Sequence, residues 1–235
     1  MKNLIKKSAV ECGFSLCGVS SAAPVDDLPY LEVAIEEGRV ASMKYLVRDP
    51  AGRCDPRALF PAAKSVICCA LAHRFARGAD YHDEVKQKLG LLWDAIRGRA
   101  PDARAKICVD TSPILEKALA QRAGLGWIGK HTVLVNRELG SWFVLGEIIT
   151  DLEIEPDPPH DDLCGDCTKC LEACPTRAII SPRELDARKC ISFLTLEAPR
   201  LRSAGSELQA ATRGFSYGCD ICQEACPYNA FDLFM

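Results

Sequence analysis

Cys164-Gly-Asp-Cys-Thr-Lys-Cys-Leu-Glu-Ala-Cys-Pro175 places three cysteines two residues apart and a fourth three residues on, with a proline behind it. A second run, Cys219-Asp-Ile-Cys-Gln-Glu-Ala-Cys-Pro227, repeats the last three positions of the first. Short steps let three thiolates fold around one inorganic core, while the proline turns the fourth away from it. The position that would complete the second run is Ser216, a poor ligand for such a core. Cys190, upstream, is the natural replacement.

This is the ferredoxin spacing of proteins with two 4Fe–4S clusters, in which the fourth cysteine of each run serves the other cluster. The expected sets are Cys164, Cys167, Cys170 and Cys226 for cluster 1, and Cys174, Cys190, Cys219 and Cys222 for cluster 2. Structural zinc also favours four thiolates, but the unbroken run sets them too close for an ordinary zinc ribbon. Eight of the fourteen cysteines lie within residues 164–226. Of the other six, Cys68, Cys69 and Cys108 sit in apolar runs and read as buried thiols.

Working outward, 235 residues with 48% hydrophobic content allow a real core. A net charge of −3 makes no global case for nucleic acid. No apolar run approaches the roughly 18–20 residues that span a bilayer. Glu11 interrupts the only stretch resembling a signal peptide. Reduced thiols without a credible signal make the cytoplasm the expected compartment.

The first 150 residues read as mixed α/β. Residues 2–12 suggest an amphipathic helix with Leu4, Ile5, Ala9 and Val10 on one side. Strands are expected at 14–19, 65–71, 105–109, 132–136 and 141–150, and helices at 27–38 and 80–97. Ser112-Pro113 should open a further helix, with serine as N-cap and proline at N1, running to Gly124. The proline- and acid-rich stretch 153–162 reads as a boundary between domains at 1–155 and 156–235.

Gly124-Leu-Gly-Trp-Ile-Gly-Lys130 matches two nucleotide motifs, GxGxxG and GxxxxGK. Both need a strand before and a helix after, and here the order is reversed. The second also needs Ser or Thr where this chain has His131. What remains is close backbone approach. The loop either packs a helix tightly against a strand or lets a flat, bulky cofactor lie against it, with Trp127 alongside. Asp110 follows an apolar strand. It reads as a helix cap, or as a general acid if burial beside an apolar cofactor keeps it protonated. Lys117 lies about two turns on, able to face the same side.

The segment Val109–Lys130, together with Gly140-Ser-Trp-Phe-Val-Leu-Gly-Glu-Ile-Ile-Thr-Asp151 and Tyr217-Gly-Cys-Asp-Ile-Cys222, resembles the signature of the epoxyqueuosine reductase family. Arg53-Cys-Asp-Pro-Arg57 and Gly78-Ala-Asp-Tyr-His82 match weaker elements of it. The resemblance implies an α/β cobalamin-binding domain, reductive-dehalogenase/nitroreductase-like, followed by a two-cluster ferredoxin-like domain. It implies a cobalamin-dependent reductase that converts epoxyqueuosine to queuosine in the wobble position of transfer RNA. Electrons would pass from the two 4Fe–4S clusters and an external donor to cobalt, which opens the epoxide while an acid protonates its oxygen. By motif, the acid maps onto Asp110 and its basic neighbour onto Lys117. Gly124, Gly126, Trp127, Gly129 and Lys130 map onto the corrin wall, with Tyr81 and His82 as further cofactor contacts.

Family members usually carry Asn where this chain has His131, and a longer stretch where residues 72–77 join two elements. They also usually continue past the last cluster cysteine into repeats that grip transfer RNA, whereas this sequence ends nine residues after Cys226. Intact cofactor machinery is therefore expected without the family's full grip on transfer RNA, its partner being the anticodon stem-loop or the modified nucleoside. Two other readings stay open at this point. One is a corrinoid reductase of the same build acting on a different small molecule. The other is an electron-transfer iron–sulfur protein without corrin.

Overall fold

The structure, a computed structural model, describes residues 1–74, 80–198, 212 and 214–230. Gly78 and Ala79 of the Gly78–His82 element lie outside the described residues. Among those described, no helix is long and apolar enough to cross a membrane.

A four-stranded sheet organises the first part. Its strands are β1 (Leu16–Ser21), β2 (Ser65–Ala72), β3 (Ala105–Cys108) and β6 (Phe143–Thr150), in the order β1-β2-β6-β3. Each neighbouring pair is antiparallel. The short pair β4 (Trp127–Ile128) and β5 (Leu134–Val135) lies apart from it.

The unbroken apolar run of β2 follows from burial on both faces, since successive side chains alternate. Ile67 and Cys69 face one layer, built on α1 (Lys2–Glu11) and α6 (His82–Arg97) through Ile5, Ala9, Val85, Leu89, Leu92 and Ile96. Val66, Cys68 and Ala70 face the other, where Leu119 and Ala120 of α7 (Glu116–Arg122) pack with Cys108 and Ile149. Each fully buried Ile or Leu contributes about 1.5–3 kcal/mol. Cys68, Cys69 and Cys108 are buried in these two layers. Arg122 ties the end of α7 to the first strand by donating to Ser20 Oγ at 2.7 Å, Ser21 O at 2.8 Å and Ala23 O at 2.7 Å.

Several boundaries differ from the sequence expectation. Val10 is 67% exposed, because α1 seats itself through Ile5, Ser8 and Ala9 alone. Phe14 precedes β1, its N–H closing onto Ala9 O at the end of α1. Ser112-Pro113 does not open α7, whose N-cap is Leu115. Asp110 adopts φ +45° and the chain makes a tight turn, with Ser112 directed to the Cys108 thiol instead of capping. Of the short helices, α2 (Leu28–Glu36) was anticipated, but α3 (Lys44–Arg48), α4 (Pro50–Cys54), α5 (Pro56–Leu59), the later α8 (Lys169–Ala173) and those after it were not. Asp49 and Asp55 cap α4 and α5.

The stretch 153–162 contains neither helix nor strand. It is pinned along β1, where Asp157 accepts from Lys6 Nζ and from Val19 N–H, both at 2.9 Å. Beyond it come α8, the hairpin β7 (Ile179–Ser181) and β8 (Glu184–Leu185), α9 (Ile191–Leu196) and α10 (Ile221–Glu224).

Candidate functional site

The two cysteine runs fold as pseudo-repeats. Each short helix, α8 or α10, is followed by an extended Cys-Pro step at Cys174 or Cys226. Cys190 holds the same extended geometry immediately before α9. As a result, Cys164, Cys167, Cys170 and Cys226 line one cavity. Cys174, Cys190, Cys219 and Cys222 line a second. Ser216 is exposed and lines neither. Among the described residues, no three His, Cys, Asp or Glu side chains converge on a point that one metal ion would occupy. Each quartet surrounds a space, a donor set that fits a cubane better than a lone zinc.

Polar hydrogens already point at the sulfurs. Trp127 Nε1–H donates to Cys164 Sγ at 3.3 Å, and Ala178 N–H to Cys174 Sγ at 3.2 Å. Burial raises the Cys174 thiol, but the hydrogen bonds of Ile179, Ala178 and Thr176 together outweigh it and leave the thiol below its ordinary value. Burial, then the neighbouring Cys190 and Cys219, push Cys222 up to about 12. A positively charged core overrides such a rise, because coordination deprotonates a thiol outright.

The glycine loop turns toward the first cysteine cavity. Lys130 Nζ donates to Gly165 O at 2.6 Å and Cys167 O at 3.0 Å. Trp127 is fully buried, edge-on to Tyr228 at 4.9 Å. A Cβ on Gly126 would lie 2.1 Å from Val135 O, and one on Gly124, at φ +78°, would lie 2.5 Å from Pro158 O. Close packing against backbone is therefore what these two glycines serve. A Cβ on Gly129 would approach His131 Cε1 at 3.0 Å. None of Gly124, Gly126, Trp127, Gly129 or Lys130 lines the cleft that holds Asp110. Gly126→Ala should cost about 3 kcal/mol through the backbone collision. Anaerobic chemical denaturation checks this, and an unchanged midpoint would refute it.

That cleft opens where β3 ends. Asp110 Oδ2 lies 3.1 Å from His82 Nε2, and His82 Nδ1 lies 2.6 Å from Asp80 Oδ1. The hydrogen bond to Asp80, with that to Asp110, raises the His82 pKa against burial. Tyr81 stacks on the His82 ring at 4.5 Å. Lys117 lines the same cleft, its Nζ donating to Thr132 O at 2.8 Å. Its side chain is open along the cleft, while its ammonium sits in dense protein that lowers its pKa. Leu134, Trp142, Phe143, Val144 and Leu145 supply its apolar lining, and Cys219 and Gln223 also border it. Apolar side chains together with an acid–base set in one cleft suit a macrocycle with a polar periphery. The buried Nε2 of His73, unpartnered among the described residues, adds a donor or acceptor for its periphery.

Sequence reasoning missed several groups here: His73, Asp80, Glu116, Trp142, Gln223 and Glu147. Glu116 Oε1 accepts the Asp110 N–H at 2.7 Å and so fixes the turn. Burial, then the Asp110 charge, raise Glu116 to about 7. Glu147, opposite Cys68 and Cys108 in the sheet, is fully buried beneath α7 and raised by burial and by Glu116. A lone acid in the apolar run Val144-Leu-Gly-Glu-Ile-Ile149 was the available signal. His131 is also buried, and burial, then the Lys117 charge, lower it to about 4.

Comparison with known proteins bears on this arrangement. Residues 163–229 match a family model described as a 4Fe-4S double cluster binding domain. Residues 53–111 match one described as Epoxyqueuosine reductase QueG, DUF1730. An epoxyqueuosine reductase of Leadbetterella byssophila is 39% identical over 97% of this chain and 79% of its own length. A crystal structure of epoxyqueuosine reductase with an epoxyqueuosine-modified tRNA-Tyr stem loop superposes with a TM-score of 0.87 at 34% identity, over 97% of this chain and 65% of that one. A reductive dehalogenase whose structure suggests a mechanism for B12-dependent dehalogenation shares the fold, with a TM-score of 0.59 at 17% identity over 97% of this chain and 32% of its own.

Proposed function

The chain belongs to the epoxyqueuosine reductase family, and from that premise we propose that it reduces the epoxide of epoxyqueuosine in a transfer-RNA anticodon stem-loop to the alkene of queuosine. The reaction consumes two electrons and two protons and releases water. Cobalamin is the proposed cofactor of the Asp110 cleft, where it supplies a cobalt centre able to deliver the electrons to the epoxide carbon. The two cysteine quartets are the proposed ligands of the two 4Fe–4S clusters. Residues 1–155 form the cofactor and substrate part, and residues 156–235 the electron supply.

One observation carries this reading. Cys219 and Gln223 line both the second cysteine cavity and the cleft of Asp110. An external donor thus has an ordered route through cluster 1, then cluster 2, to the cleft. The chain's own residues manage the protons. Asp110 donates to the epoxide oxygen, and His82, oriented by Asp80, reprotonates it across the 3.1 Å contact. Lys117 stabilises negative charge developing on the oxygen. Glu116 holds the turn that aims Asp110. Abundant free thiols and a transfer-RNA substrate favour the cytoplasm as the compartment of the proposed reaction.

The test is anaerobic reconstitution followed by gel filtration with cobalamin and incubation with an epoxyqueuosine stem-loop. Retained corrin absorbance, about eight iron per chain and formation of queuosine are the expected results. Loss of the corrin would remove the cleft assignment. Retention without conversion of the stem-loop would point to a different small-molecule substrate.

A further inference from the structure

We propose that His131 donates a hydrogen bond from Nε2–H to a cluster sulfur at the partition between the two cysteine cavities, and so raises the reduction potential of the cluster it touches. The inference rests on the two-cluster reading above.

The ring's tautomer follows from its neighbour. Val133 N–H donates to His131 Nδ1 at 3.2 Å, so Nδ1 offers its lone pair and the proton sits on Nε2. That Nε2 is buried and, among the described residues, has no hydrogen-bond partner. Leaving such a donor unpaired forfeits its hydration with nothing in return. A buried orphan of this kind calls for a group that completes it. His131 lines both cysteine cavities. It shares them with the two cysteine quartets, so cubanes held there would bring thiolate and sulfide sulfurs as acceptors. Sulfur already serves as acceptor here, among others from Trp127 Nε1–H and from Ala178 N–H.

Gly129 leaves room beside the ring, since a Cβ there would stand 3.0 Å from both His131 Cε1 and Val135 Cγ2 and press on each by a few tenths of an ångström. The third glycine of the loop thus serves the imidazole, while the other two serve the backbone. An N–H aimed at cluster sulfur stabilises the reduced, more negative state, which raises the potential. Placed between the cubanes, the same group biases the first transfer, from one cluster to the other.

Redox titration followed by electron paramagnetic resonance on the reconstituted full chain tests this. In His131→Leu, one cluster should become about tenfold harder to reduce, equivalent to about 59 mV for one electron. In wild type carrying nitrogen-15 histidine, pulsed resonance of the reduced clusters should detect a coupled imidazole nitrogen that disappears in His131→Asn. About eight iron per chain with both potentials unchanged in His131→Leu would overturn the proposal. Should that variant fail to assemble, absence of any histidine coupling in the wild type, or its persistence in His131→Asn, would overturn it equally. Wild type with far less iron would instead sink the two-cluster reading.

Discussion

Asp110→Asn should lower epoxide reduction by about 10²–10⁴-fold, the usual contribution of a positioned general acid, with cobalamin retention and iron content unchanged. The selectivity of the effect follows from the local backbone. Asp110 sits at φ +45°, a conformation that asparagine tolerates as readily as aspartate. The contact that fixes the turn uses the Asp110 main-chain N–H to Glu116 Oε1 at 2.7 Å, and the substitution leaves it in place. His82 Nε2 keeps a partner at 3.1 Å, because the asparagine amide offers an oxygen there. Only the transferable proton is removed. Single-turnover conversion of an epoxyqueuosine stem-loop, with corrin absorbance and iron measured on the same sample, separates chemistry from assembly. Undiminished turnover would remove Asp110 as the acid. His82→Gln should give a smaller loss, visible in multiple turnover and not in single turnover, since Asp110 can still fire once and is then slow to recover its proton.

What the sequence disclosed, and what it hid, divides along the range of the interactions involved. The cysteine spacings are local, and the cavity partners could be read from them because a cubane imposes its own geometry on a short chain. The β2 run at 65–72 was equally legible, since burial on both faces leaves an uninterrupted apolar record. The start of α7 was misread because Ser112-Pro113 has ideal capping chemistry. The deciding contacts instead come from Glu116 and the Cys108 thiol, on either side of the turn. The glycine loop was ambiguous for a related reason. Glycine reports that something comes close but not what it is. The approaching atoms are Val135 O, 2.1 Å from a Cβ on Gly126, and Pro158 O, 2.5 Å from one on Gly124. The link from Asp80 through His82 to Asp110 spans 30 residues, and no periodicity encodes it.

Cys190→Ala tests the least regular part of the cluster assignment, and its expected effect is total loss of turnover. Iron should fall from about eight to about four per chain, cobalamin should still bind, and electrons should stop at the first cluster. Cys190 precedes α9 in extended backbone and lines the second cavity with Cys174, Cys219 and Cys222. With three thiolates the cubane loses a corner, and among the described residues no fifth cysteine lines that cavity. Ser216 stands where the regular motif would place a cysteine, yet it is exposed and lines neither cavity. The double variant Cys190→Ala with Ser216→Cys should therefore remain at about four iron, despite restoring the ferredoxin spacing on paper. Recovery of full iron in that variant would mean that motif register, and not the placement of α9, selects the ligand. The same measurement bears on the electron route, because Cys219 and Gln223 border both the second cavity and the Asp110 cleft. A chain that kept cluster 1 alone and still turned over would show that electrons reach the cleft by another path.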